Sequence, residues 1–368
     1  MAYGSINADS IVTSVSGGVL GGGNASIMKN RIINGAMVID QRNAGASVTP
    51  TATTYTLDRW VAVTQTASKY SVQQNAGSVT PPVGFANYIG ATSLSAYSVT
   101  STEWMALQTR IEGFNIADLG WGTANAKTVT LSFWVRSSLT GTFGGSLANS
   151  DASRSYPYSY TISAANTWEQ KTITIAGDTT GTWVTNSGLG IRTTFGVGVG
   201  SNFTTTAGAW AGGEYYNATG ATSVVGTNGA TFYITGVQLE VGSSATGFEY
   251  RQYGTELSLC QRYCNKYFLT GGSGPSGFND SSTKALAFYN YPVTMRTTPT
   301  VATTGTASDY LIRFTANTAN LNAVPSLESA NEQQIRFACT VASGLTAGQG
   351  VALIGNNSTI YLTLSAEL

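Results

Sequence analysis

Alternating apolar and polar positions recur along this chain of 368 residues and predict a protein built from β-strands. The clearest run is Lys127–Arg136, KTVTLSFWVR, in which every second residue is apolar. The run Thr167–Ala176, TWEQKTITIA, is predicted as its partner strand. Further strands are predicted at Arg59–Thr64, Lys69–Gln74, Trp104–Glu112, Tyr156–Ile162, Leu189–Val199 and Thr231–Leu239. Their number and the glycine-rich turns between them favour two packed antiparallel sheets.

The pattern changes between Thr231 and Phe268. The first part, TFYITGVQLEVG, alternates as a strand, and the glycine at 236 predicts a bulge or a bend. A helix is predicted at residues 255–268, because apolar residues recur there at spacings of three, four and three. One β region therefore closes here, and a second begins after the helix.

These patterns divide the chain into four segments. Residues 1–29 are predicted to be an arm that becomes ordered against a partner, with a disordered tail as the alternative. Residues 30–250 form a large β domain, residues 251–284 a linker containing the helix, and residues 285–368 a C-terminal β-sandwich domain. The predicted fold class is all-β.

Charge is sparse and balanced. Only 10% of the residues are charged, against a usual value of about 25%, and the formal net charge is zero. Nucleic acid and anionic membrane surfaces require clustered basic residues, so neither is an expected partner. No apolar run approaches the roughly 20 residues of a membrane span, and the N-terminus lacks the pattern of a secretory signal. The protein is therefore expected to be made in a cytoplasm.

The chain contains no histidine and three cysteines. Without histidine, the Ser–His and Cys–His nucleophile pairs and histidine metal ligands are excluded. Cys260, Cys264 and Cys339 do not make a disulfide framework and are expected to be buried thiols. A CxxxC metal site is possible on paper, but no cluster of further ligands accompanies it, so no metal or other cofactor is predicted.

Four segments of the chain carry recognisable motifs: NRIINGAMVIDQR (30–42), YTLDRW (55–60), GVQLEVGSSATGFEYRQYGTELSLCQRYCNKYF (236–268) and YPVTMRTTPTV (291–301). The third segment is similar to a signature of a family of bacteriophage tail-fibre proteins, and the other three resemble further parts of that family in the same order. The resemblance implies a jelly-roll domain similar to carbohydrate-binding modules and a homotrimer. It also implies a location in the virion tail after synthesis in the bacterial host, with residues 1–29 docking on other virion proteins.

Aromatic residues are the candidates for sugar recognition, because sugars present apolar C–H faces beside hydroxyl groups. Tyr156, Tyr158 and Tyr160 share one strand face by period two. Other candidates lie in turn-rich surroundings: Trp121, Trp183, Trp210, Tyr215 and Tyr216. The alternative is that these side chains only fill the core of a large sandwich.

Calcium binding and catalysis have weaker support. Carbohydrate-binding jelly rolls often hold a structural calcium ion with acidic residues, but the matching positions here are Thr235 and Gly236. A glycosidase needs two carboxylates about 5–9 Å apart, whereas Asp118, Glu169 and Glu214 are isolated acids with no linking motif. No catalytic residue is predicted.

The leading hypothesis is a tail-fibre protein that attaches the virion to host surface polysaccharide by multivalent, non-covalent binding. One alternative is a purely structural virion protein, such as a tail adaptor or capsid-surface fibre, that contacts no receptor. A second alternative is a depolymerase.

Overall fold

The computed structural model describes residues 11–12, 19–20, 28–269, 274–315, 317–357 and 359–368. The chain divides into two compact units, residues 1–252 and 253–368. No helix in the described ranges is long and apolar enough to cross a membrane. Apart from the paired strands 11–12 and 19–20, the predicted arm before residue 28 lies outside the described residues.

The first unit is formed by strands and short 3₁₀ turns. Its strands are β1 Ile11–Val12, β2 Val19–Leu20, β3 Thr54–Leu57, β4 Trp60–Thr64, β5 Tyr70–Gln74, β6 Ile89–Ser93, β7 Trp104–Glu112, β8 Val129–Ser137, β9 Gly141–Ala148, β10 Arg154–Ile162, β11 Glu169–Ile175, β12 Leu189–Val199, β13 Thr204–Thr205, β14 Ala211–Gly212, β15 Asn217–Ala218 and β16 Thr231–Val241. The 3₁₀ turns are Ala76–Ser78, Gly113–Asn115, Ala117–Leu119 and Ser201–Phe203.

Two antiparallel sheets enclose the core of this unit. One has seven strands in the order β14-β10-β9-β12-β7-β4-β3, and the other has five in the order β11-β8-β16-β6-β5. The core side chains come from both sheets, as expected when two sheets pack face to face. Two-residue strands β13 and β15 add a small parallel pair.

The structure confirms the predicted strands and one predicted pairing. β7 and β12 have the predicted bounds, and β8 pairs antiparallel with β11 along seven residues, from Val129–Ile175 to Val135–Glu169. The apolar positions of β8 all lie in the core: Val129, Leu131, Phe133 and Val135. Alternation predicted this because the pleat of a strand sends successive side chains to opposite faces.

The predicted bulge is present at Gly236. Its φ is +60°, and the pairing of β16 with β8 shifts register between Thr235 and Gln238. A Cβ at position 236 would lie 2.5 Å from the ring of Phe85, so the site requires glycine for space as well as for backbone conformation. The bulge moves Val237 and Leu239 onto the core face that Phe232 and Ile234 occupy before it.

A buried polar network follows the bulge. Gln238 and Glu240 are 0% and 2% exposed. Glu240 accepts hydrogen bonds from the side-chain amide of Gln238 at 2.8 Å and from the backbone and hydroxyl of Thr246 at 2.8 and 2.6 Å. The backbone N–H of Glu249 donates to Gln238 at 2.8 Å, so the segment after β16 folds back over the strand.

The same segment binds the start of the domain. The Glu249 carboxylate accepts the backbone N–H groups of Met28 and of Asn30, the latter at 2.7 Å, and Arg251 donates to the carbonyl of Ile32 at 3.3 Å. The start of the 30–42 motif thus lies against residues 249–251, which belong to the tail-fibre-like segment 236–268. Their polar residues bind the protein itself, so these motifs join the start of the first unit to the segment after its last strand.

The second unit begins with α1, at Tyr253–Gln261, which is the one α-helix among the described residues. Its strands are β17 Cys264–Phe268, β18 Ser276–Asn279, β19 Lys284–Asn290, β20 Thr300–Thr303, β21 Tyr310–Phe314, β22 Asn317–Asn320, β23 Ser326–Ala330, β24 Gln334–Thr340, β25 Gly350–Gly355 and β26 Tyr361–Ser365, with a 3₁₀ turn at Ala307–Asp309. A three-stranded sheet, β17-β26-β20, and a seven-stranded sheet, β22-β21-β25-β18-β19-β24-β23, share one core. The predicted all-β fold, with a second sandwich after a short helix, is confirmed.

The predicted helix 255–268 is wrong in its second half. Residues 264–268 form β17, which pairs antiparallel with β26 from Cys264–Ser365 to Phe268–Tyr361. The spacing of Cys260 and Cys264 fits a helix, but pairing with the last strand of the chain overrides this local pattern. Consequently residues 251–284 are not a linker, since β17 and β18 already belong to the second unit.

Candidate functional site

The three tyrosines of β10 point into the sandwich rather than towards solvent. Tyr156, Tyr158 and Tyr160 are 7%, 1% and 7% exposed. The ring of Tyr160 packs edge-on against Phe133 at 5.0 Å between centroids, and Tyr158 packs against Phe195 at 6.2 Å. The predicted shared face is confirmed, but it is the core face. Alternation identifies the two faces of a strand without showing which one a second sheet covers.

The buried tyrosine hydroxyls differ in their partners. Tyr158 donates to the carbonyl of Thr194 at 2.7 Å, whereas the Tyr160 hydroxyl has no hydrogen-bond partner among the described residues. Burial raises the pKa of both side chains far above the ordinary tyrosine value. Both therefore stay neutral and act as uncharged groups.

Three candidate tryptophans that are far apart in sequence form one cluster. Ring centroids lie 4.7 Å apart for Trp121 and Trp183, 5.3 Å for Trp121 and Trp210, and 5.4 Å for Trp183 and Trp210, all edge-to-face. Tyr156 contacts the ring of Trp210 at 5.3 Å and joins the cluster to β10. This edge-to-face geometry is favourable for aromatic rings, so the cluster holds three loops together.

Each indole of the tryptophan cluster donates its N–H to a backbone carbonyl. Trp121 donates to Lys127 at 2.8 Å, Trp183 to Thr180 at 3.1 Å, and Trp210 to Ala176 at 2.7 Å. The indole N–H is the one polar group of tryptophan. These three groups are therefore committed to holding the loops in place.

An ion pair supports the loop that carries Thr180 and Trp183. Arg154 Nε donates to Asp178 at 2.7 Å, and the aspartate is 2% exposed. Burial opposes ionisation of Asp178, but hydrogen bonds from Arg154 and Thr180 outweigh it and lower the pKa of this carboxyl group. The carboxylate is thus charged and paired at neutral pH.

An open groove of about 330 Å³ lies beside this cluster, between β10 and β11. Its lining residues are Tyr156, Tyr158, Ser159, Thr172, Ile173, Thr174, Ala207 and Gly208. We call it the β10–β11 groove. Two tyrosines contribute to its wall, and the exposed residues Ser159, Thr172 and Thr174 supply hydroxyl groups. Within the described residues its lining carries no charge, so it suits a neutral ligand with apolar faces and hydroxyl groups.

The β10–β11 groove exists because two sheet edges are left open side by side. β11 is the edge strand of the five-stranded sheet, and β10 pairs with β14 only at Arg154 and Ser155. Beyond that point Gly208 N–H donates to the carbonyl of Pro157 at 2.9 Å. A proline on an open edge lacks a backbone N–H and discourages pairing with another strand, so the groove stays open to a ligand.

The last two candidates lie on the other face of the seven-stranded sheet. Tyr216 stacks on Trp104 with centroids 5.4 Å apart and an interplanar angle of 9°. Its hydroxyl donates to Glu214 at 2.7 Å, and burial followed by this bond raises its pKa. Tyr215 borders a small cavity there. The eight candidate residues therefore do not form one surface.

Sequence reasoning missed the hydroxyl side of the β10–β11 groove. Thr172 and Thr174 gave a usable signal, since they alternate with the inward isoleucines of β11 and must face outward. Ser159 gave the same signal on β10. Nothing in the sequence placed Gly208 beside Pro157, because that contact joins a long loop to a distant strand.

The isolated acids are each paired with a base. Asp118 binds Arg31 at 2.7 Å, and Glu169 binds Lys171 at 2.6 Å. Glu214 lies 3.4 Å from Arg192. The hydrogen bond from Lys171 is the main reason that the pKa of Glu169 is lowered. Across the described ranges, no group of three or more His, Cys, Asp or Glu residues is placed to hold a metal ion. At one position matching the calcium motif, the hydroxyl of Thr235 donates to the Asn87 carbonyl at 2.7 Å.

Comparison with known proteins gives distant likenesses only. No protein-family profile matches the chain, and no curated protein sequence matches it. Among solved structures, the enzymatically active domain of tailspike protein 4 from bacteriophage CBA120 aligns at 10% identity and a TM-score of 0.31, over 58% of this chain and 22% of that one. A sugar-binding protein from Bacteroides thetaiotaomicron aligns at 12% identity and a TM-score of 0.33, over 58% of this chain and all of that one. A family 11 carbohydrate-binding module from Clostridium thermocellum aligns at 10% identity and a TM-score of 0.27, over 55% of this chain and 99% of that one. Scores this low carry no functional argument.

Proposed function

We propose that this chain is a phage tail-fibre protein that binds host surface glycans without cleaving them. The observation that carries the proposal is the β10–β11 groove, with its neutral lining and its exposed hydroxyl groups on Ser159 and Thr172. A sugar could place an apolar face near Ile173 and exchange hydrogen bonds with these hydroxyls. The motifs that resemble the tail-fibre signature support the assignment to a virion.

The proposal requires several copies acting together. A shallow site with millimolar affinity supplies only about 4 kcal/mol of binding free energy. Linking sites in a homotrimer, and several fibres on one virion, raises effective binding by about 10²–10⁴. Oligomerisation, and docking of residues 1–29 on other virion proteins, are therefore parts of the proposed function.

A blocked groove tests the binding site directly. Ser159→Arg with Thr172→Arg places a long charged side chain on each wall, at two exposed positions. The matched control is Thr161→Arg with Gln170→Arg, which changes exposed residues on the same two strands outside the groove lining. On an array of bacterial surface polysaccharides, the first variant should lose binding and the control should keep it. Equal binding by both variants would reject the groove.

The structural alternative has its own support. The indole N–H groups of Trp121, Trp183 and Trp210 all donate to backbone carbonyls, so these three donors hold loops in place and are not offered to a ligand. Competition separates the two functions, because soluble receptor-binding protein blocks adsorption of virions and an adaptor does not. A fall in polysaccharide size on incubation with the purified protein would instead establish a depolymerase.

A further inference from the structure

The edge of strand β10 carries backbone groups that point away from its neighbour β9. In an antiparallel sheet, successive residues of a strand direct their N–H and C=O groups alternately to the two sides. The carbonyl of Pro157 accepts the Gly208 N–H at 2.9 Å on the side of β10 that β9 does not occupy. Ser159 and Thr161 follow Pro157 at intervals of two residues, so their backbone groups point to the same open side.

The open part of this edge is short. Before it, β14 pairs with the first two residues of β10. After it, Glu169 accepts the backbone N–H groups of Ser163 and Ala164 at 2.8 and 2.9 Å. Between these closures, the backbone groups of Ser159 and Thr161 make no hydrogen bond to the residues that the structure describes. Two such positions would hold an added peptide strand weakly, so the edge favours a compact ligand.

Ser159 is the open position that lies in the β10–β11 groove. It is exposed and lines the groove, whereas Thr161 lies outside the lining. Its backbone therefore adds an N–H donor and a C=O acceptor to the hydroxyl groups of the groove. Thr172 contributes an exposed hydroxyl from β11, and half-buried Ile173 and Ala207 contribute apolar surface. The groove thus offers amide, hydroxyl and apolar contacts together.

We propose that the β10–β11 groove selects a sugar that carries an acetamido group. This group combines a C=O, an N–H and a methyl in one neutral unit. In a trans amide the C=O and the N–H point in opposite directions, so the group can bridge two walls. The carbonyl accepts the Ser159 N–H, the amide N–H donates to the Thr172 hydroxyl, and the methyl lies against Ile173 and Ala207. The inference rests on the proposed function, because it names the sugar class for the same groove.

The neutral lining of the groove rejects the charged relatives of this sugar. A free amino sugar carries an ammonium group and a sugar acid carries a carboxylate. Either charge would lose water on entering the groove, and the lining residues supply no opposite charge. An unmodified sugar enters, but a hydroxyl in place of the acetamido group lacks the methyl contact.

Two methyl glycosides that differ in this one group test the selection. Methyl N-acetyl-β-D-glucosaminide and methyl β-D-glucoside are titrated separately against the full chain by NMR. The readout is the ratio of their two dissociation constants, which a general loss of folded protein does not change. Wild-type protein should bind the acetamido probe roughly tenfold more tightly, the effect of about one or two net hydrogen bonds.

Substitutions at Ser159 separate its backbone donor from its hydroxyl. Ser159→Pro removes both groups without breaking a bond to β9, and should bring the ratio close to one. Ser159→Ala keeps the N–H and should preserve the ratio. Thr161→Pro is the matched control, because it removes the next outward N–H outside the groove lining, and it should preserve the ratio and both affinities. Thermal unfolding of the two proline variants shows whether each is folded.

Thr172→Val provides a second test that does not depend on a proline. Valine has nearly the shape of threonine but lacks the hydroxyl that accepts the amide N–H. The ratio of dissociation constants should therefore fall severalfold in this variant as well.

Three results would overturn the inference. A ratio near one in wild-type protein that still binds the polysaccharide array would reject acetamido selection and leave the proposed function intact. An unchanged ratio in Thr172→Val and in folded Ser159→Pro would reject the two contacts. Tighter binding of an N-acetylated, C-amidated valine–threonine pentapeptide would show that the edge accepts a strand instead. If neither probe nor the array binds wild-type protein, this inference and the proposed function both fail.

Discussion

Asn30 and Leu239 lie 209 residues apart in the chain, yet the side-chain carbonyl of Asn30 accepts the backbone N–H of Leu239 at 3.1 Å. The same amide donates to the carbonyl of Val237 at 3.1 Å and accepts the N–H of Ile32 at 3.0 Å. Asn30 is 4% exposed. One buried side chain thus satisfies backbone groups at the bulge and just after it, and joins the start of the domain to its last strand.

Replacing this amide should destabilise the first unit. Asn30→Ala leaves buried backbone groups at Val237 and Leu239 without their partner, which costs about 1–3 kcal/mol in the free energy of unfolding. All seven tryptophans lie in this unit, so tryptophan fluorescence during urea unfolding reports on it alone. The exposed Asn202→Ala is the control and should change stability by less than about 0.5 kcal/mol.

Glycine at the bulge should be irreplaceable. Gly236→Ala imposes a left-handed conformation on alanine, at about 1–2 kcal/mol, and also pushes against the ring of Phe85. The first unit should therefore unfold at a lower urea concentration. Gly212→Ala, on the exposed strand β14 at a position without the left-handed φ, should leave the midpoint almost unchanged. Equal effects at the two glycines would contradict the argument.

The two fully enclosed tyrosine hydroxyls should respond in opposite ways to removal. Tyr158→Phe loses a buried hydrogen bond to Thr194 and should cost about 1 kcal/mol of unfolding free energy. Tyr160→Phe removes a buried hydroxyl that lacks a partner in the described structure, so stability should stay equal or rise. Each variant keeps the ring, and parallel urea titrations compare them. A larger loss for Tyr160→Phe would show that its hydroxyl is satisfied.

Glu103 should make the first unit sensitive to acid. Hydrogen bonds from the Thr66 hydroxyl, the Tyr97 hydroxyl and the Thr100 backbone lower the pKa of Glu103 to about 2. The folded-state pKa of Glu103 lies below its unfolded value. The stability that the charged Glu103 gives to the folded unit is therefore fully present above a pH of about 4.5 and is lost as the pH falls towards 2. Glu103→Gln should flatten this part of the stability–pH curve. Identical slopes for variant and wild type between these pH values would refute the assignment.

The cysteines should report on the second unit. Cys260, Cys264 and Cys339 are 0% exposed, and none of the three forms a disulfide bond in the described structure. Burial raises the pKa of the Cys339 thiol to about 12, which disfavours the reactive thiolate. A thiol reagent at pH 8 should therefore label native protein slowly and label urea-unfolded protein rapidly at three sites. Fast labelling of the native chain would show that this core opens.

The sequence by itself determined the strands, their inward apolar positions on β8, the pairing of β8 with β11 and the bulge at Gly236. These features depend on the pleat of a strand and on the conformational freedom of glycine, which are local properties that a few neighbouring residues reveal. The motifs around residues 30 and 240 also marked a real structural element, although their residues turned out to bind each other.

Only the tertiary structure decided which face of β10 is covered, where α1 ends, and how the three tryptophans meet. Tyr156 and Tyr160 became core residues because the five-stranded sheet packs over them, and residues 264–268 became a strand because the last strand of the chain lies beside them. The β10–β11 groove and the small cavity bordered by Tyr215 join residues from separate strands and one long loop. Such contacts arise from the packing of distant segments, and the periodicity of any one segment contains no record of them.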